Sequence, residues 1–325
     1  LMTTNHIKPV VSLRNFLSKM IDYAGLFPPT NLELGQAFHN FVFYRQGEYK
    51  WMLGKFIIPA KRLPELAALL DDMEVKEQIS LSVLGASAET VNEFNGLFND
   101  DIANVKDFLA KYGANISVDA FEVRLPAELF KQEDNAAYTS LMENVSQGLQ
   151  NTLGKQVPVF FEANLTADYE AEIIRTVENI GAINKGCGFK LRTGGTEPAA
   201  FPEPEVIAFA IMTCCEFDVP MKCTAGLHHP IRHFNEGVKA NMHGFLNVFS
   251  AGIMAYSNNL DEAELLEVLN EDDPYEFTFN ENGFVWNDTE VSNDEITGSR
   301  ERFMLSYGSC SFDEPIEDLK TMELL

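Results

Sequence analysis

From Gly54 onward the chain repeats one rhythm: a short apolar run, a polar turn, a helical segment, then glycine or asparagine before the next run. This alternation constrains the fold more than any other feature, because strands joined through helices lie parallel and are covered on both faces. The runs fall at 55–59, 79–84, 120–125, 157–162, 188–192, 221–224 and 244–249. Pro64 and Pro204 sit where the first turn of a helix tolerates proline, Thr166 is placed to cap a helix, and Gly113, Gly154 and Gly181 to close others. A further run at 21–24, IDYA, brings the count to eight, the number that closes a parallel barrel. The predicted fold class is therefore α/β, a TIM (β/α)8 barrel. A doubly wound open sheet is the alternative, but it would carry a glycine-rich fingerprint after an early strand, and none is present. If 304–307 supplies the eighth strand instead, 21–24 stands outside the barrel.

Leu13, Phe16, Leu17, Met20 and Ile21 recur at helical spacing behind Ser12, a candidate N-cap, so an amphipathic helix opens the chain and a second helical stretch covers 32–43. After Ser250 the rhythm changes. A helix at 261–269, a β-hairpin at 274–286 around Asn282-Gly283 and a last helix at 315–322 follow. The expected organisation is a barrel with its N-terminal helices over 1–255 and a C-terminal extension over 256–325 packed on it, within one domain. Aromatic residues in the hairpin offer a contact for a second copy of the chain, with packing on the barrel the stronger expectation.

The formal charge of −25, from 49 acidic against 24 basic side chains, argues against a nucleic-acid or anionic-membrane partner, since both depend on clustered Lys and Arg. The longest apolar run, 206–215, is half of the ~20 residues that span a bilayer. Five cysteines form no CxxC, and an odd count suits reduced thiols. The first residues, LMTTNHIKPVVSLRNF, lack the apolar core and cleavage site of a signal peptide, so a cytoplasmic location is expected.

Chemistry concentrates in 219–233, VPMKCTAGLHHPIRH, where a short strand carrying Lys222 and Thr224 ends at Ala225-Gly226, and His228, His229, Arg232 and His233 follow. A glycine there lets backbone approach a ligand. Strand alternation sends Glu122 and Arg124, Glu162, Lys190 and Arg192, then Lys222 and Thr224 into the barrel, whose ordinary lining is Val, Ile and Leu. Buried opposite charges must satisfy one another, and such networks gather at catalytic sites. Lys190 opens KLRTGG, in which Thr193 ends the strand and Gly194-Gly195 can turn backbone N–H groups toward an anion. Beside Arg192 and a second lysine, the Lys190 ammonium is expected to be disfavoured, which would leave an amine able to attack a carbonyl carbon, with Glu122 or Glu162 shuttling protons. The plain alternative is a structural ion-pair layer, Lys190 with Glu162 and Arg192 with Glu122.

IDYAGLFPPT, FEVRLP, VFFEANL, GFKLRTGG and MKCTAGLHH, in that order over roughly 21–255, resemble the deoxyribose-phosphate aldolase group of class I aldolases. The resemblance implies a TIM barrel, no cofactor, a Schiff base on Lys190, three residues before Thr193-Gly194, an acidic proton shuttle at Glu122, and Lys222 as the lysine that lowers the first one's pKa. Lys222 stands one residue further from its Ala-Gly than in that group, and the group's phosphate-holding glycines and serines are replaced by Gly226-Leu-His-His and FLNVFSAG. These departures point to a divergent branch: His228, His229 and Arg232 would hold a carboxylate, and Asn247 and Ser250 would bind hydroxyls. The expectation is a lyase acting on a small carbonyl or carboxylate compound.

Two other classes compete. His228, His229, His243 and Glu162 supply donor types for a metal-dependent barrel enzyme, although no HxH or HExxH spacing is present. A non-catalytic barrel that binds a small anion is the third. Cys310 in SYGSCSF is a weaker nucleophile candidate, with no base beside it in sequence. Tyr23, Phe27 and Pro28-Pro29 are expected to wall the site.

Overall fold

The computed structural model describes residues 9–73, 77–132, 134–183, 186–258 and 260–325. The leader reading rests partly on residues 1–8, outside this set. Eight parallel strands close into a barrel: β1 (Ile21–Tyr23), β2 (Leu53–Pro59), β3 (Ile79–Leu84), β4 (Ile116–Arg124), β5 (Val159–Glu162), β6 (Gly188–Arg192), β7 (Met221–Thr224) and β8 (Met304–Ser309). Each pairs with its sequence neighbour, and β8 returns to β1 through Ile21–Tyr307, Asp22–Gly308 and Tyr23–Ser309. The expected TIM (β/α)8 barrel is the observed fold.

Helices shield the strands because each carries an apolar stripe. Val91–Tyr112 buries Phe94, Phe98, Val105 and Phe108, while Tyr169–Ile183 buries Ile173, Val177, Ile180 and Ile183. These positions recur at three- and four-residue steps, the period of one helix face.

The run at 244–249 is not a strand. It opens the helix Phe245–Asn258, in which every residue from Phe245 to Ala255 is buried. A short apolar run without alternation has the same pattern in a buried strand and a buried helix, and its length decided wrongly here. The Phe245 ring stacks on Tyr307 of β8 at 5.7 Å between centroids. Gly252 sits against Met304, whose Cγ and Sδ leave no room for an added Cβ. The helix therefore packs directly on β8. Both 21–24 and 304–309 belong to the barrel, so neither displaces the other, and the barrel does not end at residue 255.

The segment between the helix and β8 carries a three-stranded sheet, Phe277–Phe279, Gly283–Trp286 and Thr289–Ser292. Phe277, Phe284 and Trp286 are buried, with Phe16 of the first helix edge-on to Phe279 and Phe284. The hairpin thus spends most of its apolar face inside the chain. Ser12 does not cap that first helix (Val11–Leu17): its hydroxyl donates to Asn280 O at 2.6 Å, tying helix to hairpin. Arg300 closes this end of the barrel, donating to the carbonyls of Phe16 at 2.7 Å and Ser18 at 2.9 Å.

Candidate active site

Strand register builds the site. Glu162 pairs with Lys190, Lys190 with Lys222 and Lys222 with Ser306, which places four polar side chains in one row across β5 to β8. Glu122 on β4 and Asp22 on β1 close the ring. A single chain of ion pairs results. Arg192 Nε lies 3.1 Å from Glu162 Oε1, and Lys190 Nζ lies 3.0 Å from Glu162 Oε2 and 2.8 Å from Glu122 Oε2. Lys222 Nζ lies 2.7 Å from Glu122 Oε1 and 2.5 Å from Asp22 Oδ2. Ser82 donates to Glu122 at 2.6 Å, Ser306 to Asp22 at 2.8 Å and the Lys55 N–H to Asp22 at 2.7 Å. All of these ionic side chains are buried except Arg192, which is 47% exposed. Three carboxylates face three cations, which is what makes burial tolerable.

The charge states follow. Burial alone would push Glu122 up, but Lys190 and Lys222 outweigh it and hold its carboxyl far below the usual range. Burial likewise opposes the Lys190 ammonium, yet Glu122 and Glu162 more than reverse this and raise its pKa. Lys222 is raised further: burial is again outweighed, here by Asp22 and Glu122. The expectation of a disfavoured Lys190 ammonium is therefore overturned. The two amines do share the barrel interior, but a carboxylate stands between them, and attraction to it replaces the repulsion that was to lower the pKa.

The network runs the depth of the barrel. At the C-terminal rim Lys190 and Glu122 meet a cavity of about 240 Å3 that is also lined by Phe27, Gly195, Thr224, His228 and Cys310. Lys222 and Asp22 reach instead a pocket of about 490 Å3 at the N-terminal end, beside Phe160 and Arg300.

Of the residues singled out from sequence, Glu122, Lys190, Arg192, Gly195, Thr224 and His228 line the rim cavity, and Glu162 joins them through Lys190. The others stand elsewhere. Arg124 is exposed and donates to Asn164 at 2.7 Å, bordering a neighbouring cleft with Glu162 and Arg192. Thr193 is fully buried and its hydroxyl donates to Ala225 O at 2.6 Å, clamping the end of β6 to β7. Gly194 and Gly226 pack backbone to backbone: a Cβ on Gly226, whose φ is +79°, would meet Gly194 Cα at 2.8 Å. His229 turns away to Asp318 at 2.6 Å. The Asn247 amide donates to Val268 O at 2.9 Å and Glu271 O at 2.8 Å and accepts from the Arg232 N–H at 2.8 Å, so it braces the loop instead of facing the cavity.

The suggested metal donors do not converge. His243 donates to Pro202 O at 2.7 Å, and burial pulls its pKa down to about 4, while His228, His229 and Glu162 each face different partners. Among the described residues no three His, Cys, Asp or Glu side chains are grouped to hold a metal ion. None of the described helices is long and apolar enough to cross a membrane.

Phe27 and Pro28 do wall the cavity, but Tyr23 does not. Its ring lies on the outer face of β1, stacked on Phe41 at 6.5 Å and edge-on to Tyr44 at 5.5 Å. Two features escaped sequence reading. Asp22 anchors the network, and its signal was the same alternation, a carboxylate between outward-facing Ile21 and Tyr23. Cys310 has a partner after all: its Sγ lies 3.9 Å from His228 Nδ1.

The fold and site define a parallel (β/α)8 barrel with a lysine–carboxylate network that runs through its interior and meets a cavity at the C-terminal rim. Neither protein-family models nor curated proteins match the chain.

Proposed function

We propose that this protein is an aldolase-like lyase that cleaves or forms a carbon–carbon bond in a small carbonyl compound through a Schiff base on Lys190. One observation carries the reading: Lys190 lines the rim cavity, and its Nζ stands within 3.0 Å of two carboxylates able to take its proton. Because the resting group is an ammonium, reaction begins when Lys190 passes a proton to Glu122 or Glu162. The amine then adds to the substrate carbonyl carbon, and the protonated carboxyl gives its proton back as the carbinolamine loses water to an iminium. The freed carboxylate takes the proton of the hydroxyl β to the iminium, the bonding pair moves into the iminium to leave an enamine and release an aldehyde, and the same carboxyl protonates the enamine carbon before water releases the product. Lys222 and Asp22 position Glu122. Arg192, His228 and the backbone of Gly195 border the cavity where a substrate carboxylate would sit.

A second reading, a barrel that binds a small anion without reacting, draws support from the same raised Lys190 pKa. Borohydride reduction in the presence of small aldehydes and 2-ketoacids, followed by peptide mass spectrometry, separates the two. A reduced adduct on Lys190, lost in Lys190→Arg, is expected. Ligand-induced stabilisation with no adduct under any condition would favour the non-catalytic barrel.

A further inference from the structure

The cavity that Lys190 enters has a second nucleophile on its wall. Cys310 is the first residue beyond β8, and His228 lies two residues beyond Gly226, on the turn after β7. The adjacency of these two strands in the barrel brings together side chains 82 positions apart. Both line the cavity. His228 Nδ1 is 3.9 Å from Cys310 Sγ and 3.4 Å from Glu314 Oε2 of the helix Asp313–Thr321.

Charges around this group act in one direction. Burial opposes ionisation of the thiol, but His228 and hydrogen bonds from Thr30 outweigh it and lower the Cys310 pKa. Burial also opposes the imidazolium, and contacts with Cys310 and Glu314 overcome it, raising His228 to about 9. The titratable groups around the pair are Glu314 and, beyond it, His229 from the β7 loop and Tyr23 on the outer side of β1, with Glu122, Lys190 and Arg192 on the same cavity lining. By contrast, burial raises the thiols of Cys214, Cys215 and Cys223. A thiol whose ionisation is favoured by an imidazolium at its side, both on a cavity wall, is the arrangement that activates cysteine nucleophiles.

We propose that Cys310 and His228 form a second covalent site in this cavity, one that captures an aldehyde reversibly as a hemithioacetal. The thiolate sulfur forms a bond to the carbonyl carbon, the C=O π pair moves to oxygen, and His228 delivers its proton to that oxygen. A neutral hemithioacetal and a neutral imidazole result, with no oxidant, reductant or leaving group. Reversal returns the aldehyde and the ion pair. The site takes small aldehydes, the class of compound a retro-aldol cleavage releases, but it does not depend on imine chemistry at Lys190.

Carbon-labelled glycolaldehyde, observed by NMR on the intact protein, tests this directly. A hemithioacetal carbon resonance is expected in the wild type and in Lys190→Arg, which keeps the charge but cannot form a stable imine, and it should vanish in Cys310→Ser. Absence of the signal from the wild type, or its persistence in Cys310→Ser, overturns the proposal, whatever borohydride shows at Lys190. Iodoacetamide labelling supplies the second readout. At about pH 6, where an ordinary thiol is almost fully protonated, Cys310 should label roughly tenfold faster in the wild type than in His228→Gln. Equal rates would remove His228 from the role assigned to it.

Discussion

Lys222 and Lys190 are register partners on adjacent strands, and each binds a different oxygen of the same carboxylate, Glu122. This sharing decides the electrostatics. Two amines in mutual repulsion would each lose proton affinity; separated by Glu122, and flanked by Glu162 and Asp22, both gain it.

Replacing Glu122 by Gln should therefore be severe. The substitution leaves two buried ammonium groups with one carboxylate each and turns a charged acceptor into a neutral one. Breaking a buried pair from one side costs about 3–5 kcal/mol, and chemical denaturation should register a loss of that order. A loss below about 1 kcal/mol would mean that the network is hydrated and does not behave as a buried one.

The raised Lys190 pKa sets the pH profile of adduct formation. The reactive amine fraction grows tenfold per pH unit while pH stays below the pKa, which lies above the ordinary lysine value. Borohydride trapping on Lys190 should accordingly rise across the neutral and mildly alkaline range without levelling. A plateau near neutrality would show that the proton is already absent at rest.

Much of this site was legible because charges inside short strands announce themselves. GFKLR and MKCT place Lys190 and Lys222 by alternation alone, and both point inward as expected. What failed did so for definable reasons. In a strand of only three residues, IDY, the alternation that turns Asp22 inward is too short to have singled it out. The run 244–249 shows no polar helical stripe, Asn247 being its one polar side chain, because its helix is buried on every side. Thr193 and Asn247 are polar residues in segments that end or follow barrel strands, yet their polar atoms satisfy backbone groups, a use that sequence does not distinguish from ligand binding. The Cys310–His228 contact depends on the closure of β7 against β8, which no local spacing encodes.

Tyr23 gives a test that separates stability from chemistry. Its ring fills space among Phe41, Tyr44 and Phe56, outside the barrel and away from the cavity. Tyr23→Ala should lose about 3–5 kcal/mol, the usual result of emptying a buried aromatic site. Labelling at Lys190 under folding conditions should be unchanged. A selective loss of ligand binding with stability intact would return Tyr23 to the cavity wall.

Gly226 is the joint that brings β6 and β7 loops together. At φ +79° a non-glycine residue is strained, and an added methyl would press on Gly194 Cα at 2.8 Å and Thr193 O at 3.0 Å. Gly226→Ala should destabilise the fold by at least about 1 kcal/mol and weaken adduct formation at Lys190 by displacing the rim. Wild-type stability and trapping together would show that the turn relaxes without cost.

His228 should leave a signature in stability against pH. Its pKa is raised from 6.5 to about 9 on folding, with burial opposing and Cys310 and Glu314 prevailing. A raised folded pKa means that the stabilisation is fully present below the unfolded pKa and is lost as pH climbs through the folded one. The window is therefore pH 6.5 to about 9. Glu314 is half-exposed, so solvent screening reduces the contribution to about 2 kcal/mol. Denaturation midpoints of the wild type should fall across this window, and those of His228→Gln should fall less. Parallel curves for the two proteins would show that the imidazolium is not held by Cys310 and Glu314, and the Cys310 thiol would lose the charge that favours its ionisation.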